Sequence, residues 1–302
     1  MASSSPEPQD VGSVGSTCAY ACILRRVAPL LLLVDIDAAR CEAEVLDLQD
    51  SAFVSESKIK VGTFKEAGQC DIVIITAGAK QRPGETRVEL IDRNHAILRS
   101  VFQEMSPMNP HTIVIIVANP CDVLTYVAQK ISQLPPSQIL GSGTMLDSSR
   151  LRSSLSNILK VSETAIHAYV MGEHGDSQFV GWSTATVGNT PLLSFPEMQT
   201  VDRVKLAADV KNKAYKIIEA KGSTYYGIGG VAASIAESCL FDTRQVRPVS
   251  HLLPGLDVCL SAPAVLGRRG LIRTLLPPLS ADEGALLESS AKAMRAVIDK
   301  YT

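Results

Sequence analysis

No apolar stretch of this chain is long enough to cross a bilayer. Its longest aliphatic runs, such as Leu30 to Val34, are strand-sized, against the roughly 20 residues that a spanning helix needs. The segment Met1 to Gln9 is rich in serine and proline and has neither a hydrophobic centre nor a basic flank, so no signal peptide is expected. An excess of one charge is lacking too. With 29 basic and 31 acidic residues intermixed, there is no basic stripe for a nucleic acid backbone or a membrane surface, and a small molecule is the expected partner. Cys18, Cys22, Cys41, Cys70, Cys121, Cys239 and Cys259 are odd in number and never spaced C-x-x-C, which argues against both a disulfide framework and a zinc cage. The expectation is a cytoplasmic protein with reduced thiols and no metal.

What is present is enough apolar material for a large core: 46% of 302 residues. Leu30 to Val34 followed by Asp35, Asp71 to Thr76, and Thr112 to Val117 are short, branched, continuously apolar runs of the kind buried on both faces of a parallel sheet. Helical spacing separates them, from Glu85 to Met105 and from Asp122 to Ile131. This alternation predicts an α/β fold with a doubly wound, Rossmann-type parallel sheet. After about Gly143 the rhythm changes to an apolar stretch from His167 to Met171 and longer helical patterns, Val201 to Lys221 and Ala281 to Tyr301, which predict a mixed α+β lobe. The expected division is a nucleotide-binding domain over residues 1–142 and a substrate or catalytic domain over 143–302. Thr76-Ala77-Gly78-Ala79 and Ala118-Asn119-Pro120 each follow a strand directly, and should face a shared cleft beyond the strands' carboxyl ends.

Gly12-Ser13-Val14-Gly15, ahead of the helical run Thr17 to Leu24, looks like the second part of a G-x-G-x-x-G turn, where bare backbone and a helix N-terminus receive a pyrophosphate. An ordinary glycine turn is the alternative. Asp35 supports the nucleotide reading, because an acidic residue at the end of the next strand is where a ribose hydroxyl pair is held; a carboxylate there also favours NAD over NADP. Two features conflict with it. Asp10 occupies the first glycine position, and the preceding strand is replaced by Ser3-Ser4-Ser5-Pro6-Glu7-Pro8-Gln9, whose prolines and polarity do not suit a central strand. Losing four or so buried aliphatics at roughly 1.5 to 3 kcal/mol each approaches the whole stability of a domain, about 5 to 15 kcal/mol. A degraded first strand and impaired NAD binding are therefore expected.

The candidate chemistry lies further on. Gly172-Glu173-His174-Gly175-Asp176-Ser177 sets one histidine among glycines and acids, as in a loop that approaches a ligand closely; a surface or capping histidine is the plainer reading. Asp147 and Arg150 fall on one helical face, three residues apart. They are either a surface ion pair or, with His174, a carboxylate that orients an imidazole and a guanidinium that grips a substrate carboxylate.

Ala77 to Arg87 (AGAKQRPGETR), Ala118-Asn119-Pro120, Gly143 to Ser148 (GTMLDS) and Gly172 to Ser177 (GEHGDS) stand in an order and spacing that resembles the lactate/malate dehydrogenase family from about Gly12 to Tyr301. The resemblance implies hydride transfer between NAD and a small 2-hydroxy acid, with His174 as proton donor and acceptor and Asp147 fixing its tautomer. It implies that Arg150 binds the substrate carboxylate, and that Arg87, on a closing loop from Gly78 to Arg87, polarises the carbonyl. Asn119 would hydrogen-bond near that carbonyl and Thr224 would line the side-chain pocket. Gly12, Val14, Gly15, Asp35, Thr76, Ala77, Gly78, Ala79 and Asn119 would contact NAD. Gln81 takes the position at which similar malate enzymes carry arginine, which favours pyruvate and lactate over malate; Arg82 beside it keeps malate dehydrogenase as the alternative. Arg152 and His167 match positions where similar bacterial enzymes bind fructose 1,6-bisphosphate, and a homotetramer is the common assembly. A third possibility is a truncated, non-catalytic member that binds NAD weakly or not at all.

Overall fold

The computed structural model describes residues 12–79 and 87–301. The first half alternates as expected: α1 (Ser13–Leu24), β1 (Leu30–Leu33), α2 (Ala38–Ser51), β2 (Lys58–Val61), α3 (Phe64–Ala67), β3 (Ile72–Ile75), α4 (Arg87–Met105), β4 (Ile113–Ile116), α5 (Cys121–Ile131) and β5 (Ile139–Gly141). Local chemistry fixes the helix starts. Asp37 accepts from the Arg40 amide at the head of α2, and Thr63 with Glu66 forms a capping box on α3.

The second half begins with α6 (Met145–Leu159) and continues through five short strands, β6 (Ile166–His167), β7 (Val170–Met171), β8 (Phe179–Val180), β9 (Thr186–Val187) and β10 (Thr190–Pro191). It ends with α7 (Arg203–Lys221), α8 (Tyr226–Leu240), β11 (Val246–Leu252), β12 (Cys259–Gly267), β13 (Gly270–Thr274) and α9 (Ala281–Ile298). Asp202 caps α7, Gly222 ends it at φ 84°, and Ser280 with Glu283 forms a second capping box at α9.

Among the described residues the parallel strands fall into two sheets. β1 pairs with β2, while β3, β4 and β5 belong to a six-stranded sheet of order β13-β12-β11-β5-β4-β3. No described strand joins β1 to β3, and the segment whose strand character was in doubt, together with Asp10, lies outside the described residues. Burial follows from this division. β4 is buried at all four positions, whereas Ile72, Val73 and Ile74 of β3 are only half-buried and Leu30 of β1 is 46% exposed. The expectation of two-sided burial thus holds for β4, which has a described neighbour on either side, and is not met by β1 or β3. α1 packs closely on α8: a Cβ on Gly229 would lie 2.6 Å from Thr17 Cγ2 and 2.9 Å from the Thr17 carbonyl carbon, so only glycine admits this approach.

β11 runs antiparallel to β5 through the Ser250–Gly141 pair, which joins the parallel strands to the antiparallel trio β11, β12 and β13 in one sheet. At this seam Gly143 adopts φ +50°, and a Cβ there would fall 2.2 Å from Ser261 Oγ and 2.6 Å from the Ser250 backbone nitrogen. Glycine therefore lets the chain turn from β5 into α6 directly against β11 and β12.

Candidate active site

The turn at Gly143 determines where α6 starts, and so where Asp147 sits. The Thr144 amide donates to Ser261 Oγ at 3.0 Å, and Thr144 Oγ1 donates to the Val170 carbonyl at 2.6 Å. Asp147, in the first turn of α6, is 2% exposed. On the other side, β7 leads into Gly172 (φ +87°), whose backbone exchanges hydrogen bonds with Ser261 at 3.0 and 2.9 Å. Ser261 thus bridges the two segments, and His174 arrives beside Asp147.

His174 Nδ1 lies 2.8 Å from Asp147 Oδ2, and Arg150 Nη1 donates to Asp147 Oδ1 at 3.3 Å. The Arg150 side chain is 10% exposed and the His174 ring 29%. Asp147 is buried and its two partners are partly so, which is not the setting of a surface ion pair. A carboxylate against Nδ1 assigns that nitrogen its proton and leaves Nε2 as the position able to exchange one. Burial by itself lowers the His174 pKa, but the hydrogen bond and charge of Asp147, with a further contribution from the charge of Asp122, outweigh it and the opposing Arg150, so the net direction is upward.

Arg150 and Thr224 share a cleft of about 230 Å³ whose apolar lining includes Leu146 and Ile228. Lys221 lies over the rings of Tyr225 and Tyr226, 3.5 and 3.9 Å from their centroids, at the edge of the same cleft. Gln81 and the Arg87 side chain lie outside the described residues. Arg152 is half-buried on α6, its Nε donating to the Ser148 carbonyl at 3.2 Å, and His167 is exposed on β6.

The residues expected to meet a dinucleotide lie at the start of α1 and just beyond β1, β3 and β4. Helix α1 begins at Ser13, earlier than its sequence pattern suggests, with Gly12 as its N-cap and no acidic residue in its first turn. Val14 and Gly15 therefore belong to that turn, whose amides have no partner within the helix and suit a pyrophosphate. Asp35 is half-buried just beyond β1 and accepts from the Asp37 amide at 2.8 Å. Thr76, Ala77, Gly78 and Ala79 follow β3, and a Cβ on Gly78 would meet Ala118 Cβ at 3.1 Å, so the loops after β3 and β4 do converge. The Asn119 side chain is exposed at that junction.

Three contributors are not singled out by the sequence. Asn94 on α4, 2% exposed, accepts from the Ala79 amide at 2.6 Å and donates to the Asn119 carbonyl at 2.7 Å, tying the two loops together. Asp122 accepts from the His174 amide at 2.7 Å. Ser261 is the bridge just described. Only the placement of a polar residue inside an apolar helical pattern could have marked Asn94, and nothing local marks the others. Among the described residues no group of three or more His, Cys, Asp or Glu side chains could hold a metal ion, and no helix is long and apolar enough to cross a membrane.

Two domain models match the chain: the NAD binding domain of lactate/malate dehydrogenase over residues 10–141, and the alpha/beta C-terminal domain of lactate/malate dehydrogenase over residues 144–302. The chain belongs to the lactate/malate dehydrogenase family. It is accordingly an NAD-linked oxidoreductase with a Rossmann-type domain. Similar family members include L-lactate dehydrogenase A of Rhizopus oryzae, 43% identical over 95% of this chain and 89% of that one. The L-lactate dehydrogenase of Synechococcus sp. (strain JA-3-3Ab) is 42% identical over 95% and 96%. Among solved structures, a lactate dehydrogenase from a Medee basin deep-sea metagenome library superimposes with a TM-score of 0.92 at 36% identity, covering 96% of both chains. The minor L-lactate dehydrogenase of Enterococcus mundtii gives 0.91 at 35%, again covering 96% of both.

Proposed function

We propose that this family member is an L-lactate dehydrogenase that interconverts pyruvate and L-lactate. The observation that carries the reading is the His174 imidazole on the buried Asp147 carboxylate at 2.8 Å, with Arg150 alongside. When bound, NADH supplies the hydride that reduces the keto carbon. His174 Nε2 gives its proton to the carbonyl oxygen and recovers one in the reverse direction. Asp147 holds the tautomer and stabilises the imidazolium before the proton leaves. Arg150 binds the substrate carboxylate through parallel hydrogen bonds, and Thr224 lines the methyl pocket. Arg87 polarises the carbonyl, Asn119 hydrogen-bonds near it, and Gln81 faces the methyl group.

Pyruvate is favoured over oxaloacetate by the neutral Gln81 and by relatives named L-lactate dehydrogenase that match nearly this whole chain. The same relatives favour a working enzyme over a truncated, non-catalytic member. The boundary between nucleotide and substrate domains falls at residues 142 and 143 in this reading. The basic character of Arg152 and His167 suits fructose 1,6-bisphosphate, and a cytoplasmic homotetramer is the expected assembly. The test is the ratio of kcat/KM for pyruvate to that for oxaloacetate: a ratio well above one supports the reading, and a ratio below one reassigns the enzyme to malate.

A further inference from the structure

Asp122 lies in the first turn of α5 and is 2% exposed, and among the described residues it forms no salt bridge. A carboxylate taken out of water without a cation is costly unless hydrogen bonds compensate. Its two oxygens have unequal surroundings. Oδ2 accepts from the His174 amide at 2.7 Å. Oδ1 has no hydrogen-bond partner, and neither has Ser250 Oγ on β11, although that hydroxyl is near enough to hold the Asp122 carboxyl down.

We propose that Asp122 is a positioning residue for His174: its carboxylate anchors the loop backbone at the histidine and is a second negative charge, besides Asp147, that favours the protonated imidazole. The proposal rests on the reading of His174 as the proton donor. The groups around the pair leave Asp122 this role. From the loop after β7 it is faced by His174 and by Glu173, whose charge repels it. The thiol of Cys121 on α5 is pushed up by burial to about 12, and that of Cys259 on β12 is raised well above its ordinary value, so both stay neutral near pH 7. His174 is also faced from α6 by Asp147 and Arg150. Burial raises the Asp122 carboxyl to about 6, so it is mostly ionised at neutral pH, where pyruvate reduction needs a protonated histidine.

The discriminating variant is Asp122→Asn. Its amide oxygen keeps an acceptor for the His174 N–H and its side chain matches the carboxylate in shape, so the geometry is kept and the charge removed. Histidine side-chain resonances of the full chain are titrated by NMR, with the His174 signal assigned by its loss in His174→Gln. Removing a nearby opposite charge should lower the His174 pKa by about half a unit to one unit. The alkaline limb of pyruvate reduction should move down equally, with the acid-side plateau of kcat within about twofold of the native value. Asp122→Ala, which also removes the acceptor, should lower kcat/KM by about tenfold at every pH. An unmoved His174 titration in Asp122→Asn overturns the proposal, and that variant decides the matter even if Asp122→Ala does not fold. If the native chain turns over no pyruvate, the catalytic reading fails while the titration still decides whether Asp122 and His174 are coupled.

Discussion

Replacing Asp147 with asparagine should disable this site while leaving its shape. Asp147 is 2% exposed and has a hydrogen bond on each oxygen, to His174 at 2.8 Å and to Arg150 at 3.3 Å. The asparagine side chain would fit the same volume but would replace a charge-assisted bond to the imidazolium with a neutral one, and its NH2 could turn the ring to the wrong tautomer. A hydrogen bond to a charged group contributes about 1.5 to 3 kcal/mol, and about 1.4 kcal/mol is tenfold in rate, so kcat/KM for pyruvate should fall by roughly 10- to 100-fold at neutral pH. The pH dependence should change with it. The folded-state pKa of His174 is raised, so the stability contributed by the His174–Asp147 pair is fully present below the unfolded value, about 6.5, and is lost as pH rises through the folded value. The native chain should therefore become less stable as pH rises through that window, and Asp147→Asn should flatten the dependence. Initial rates of NADH oxidation across pH, with urea unfolding of both proteins at pH values on either side of the window, measure both effects. Retention of kcat/KM within about threefold with an unchanged pH profile would refute the reasoning.

Arg150→Lys keeps the charge but loses the planar fork, and should raise KM for pyruvate by about 10- to 100-fold in steady-state kinetics with NADH affinity unchanged. Gln81→Arg supplies a partner for a second carboxylate and should shift the oxaloacetate-to-pyruvate ratio of kcat/KM towards oxaloacetate by about 10- to 100-fold. Replacing residues 3–9 with an apolar strand and Asp10 with glycine should raise Tm by several degrees at roughly 2 to 4 °C per kcal/mol and tighten NADH binding measured by fluorescence; an unchanged Tm and affinity would mean that the native segment already serves as well.

The α/β character was legible because β1, β3 and β4 are short runs of Leu, Ile and Val and the helices between them carry an apolar stripe. The site was legible through chemistry at fixed spacing: Asp147 and Arg150 on one face of α6, and His174 framed by Gly172 and Gly175. What local pattern did not reveal is explained by burial and distance. Helix α8 is buried at nine of its 15 positions and built largely of glycine, alanine and serine, so it shows no amphipathic period. Strands β11 and β12 mix proline, serine, histidine and alanine with aliphatics, which hides them, although both are largely buried. Asp122, Ser250 and Ser261 meet the site only through tertiary contacts across α5, β11 and β12.

The central claim is that His174 carries the proton in pyruvate reduction, and pyruvate-dependent NADH oxidation by the native chain and by His174→Gln, with NADH binding followed in parallel, tests it most directly. General acid–base catalysis contributes about 100- to 10,000-fold, so the account predicts turnover by the native chain, a loss of that order in His174→Gln, and equal NADH binding by both. Turnover by His174→Gln close to the native rate, or a native chain that binds NADH and leaves pyruvate unreduced, would contradict it.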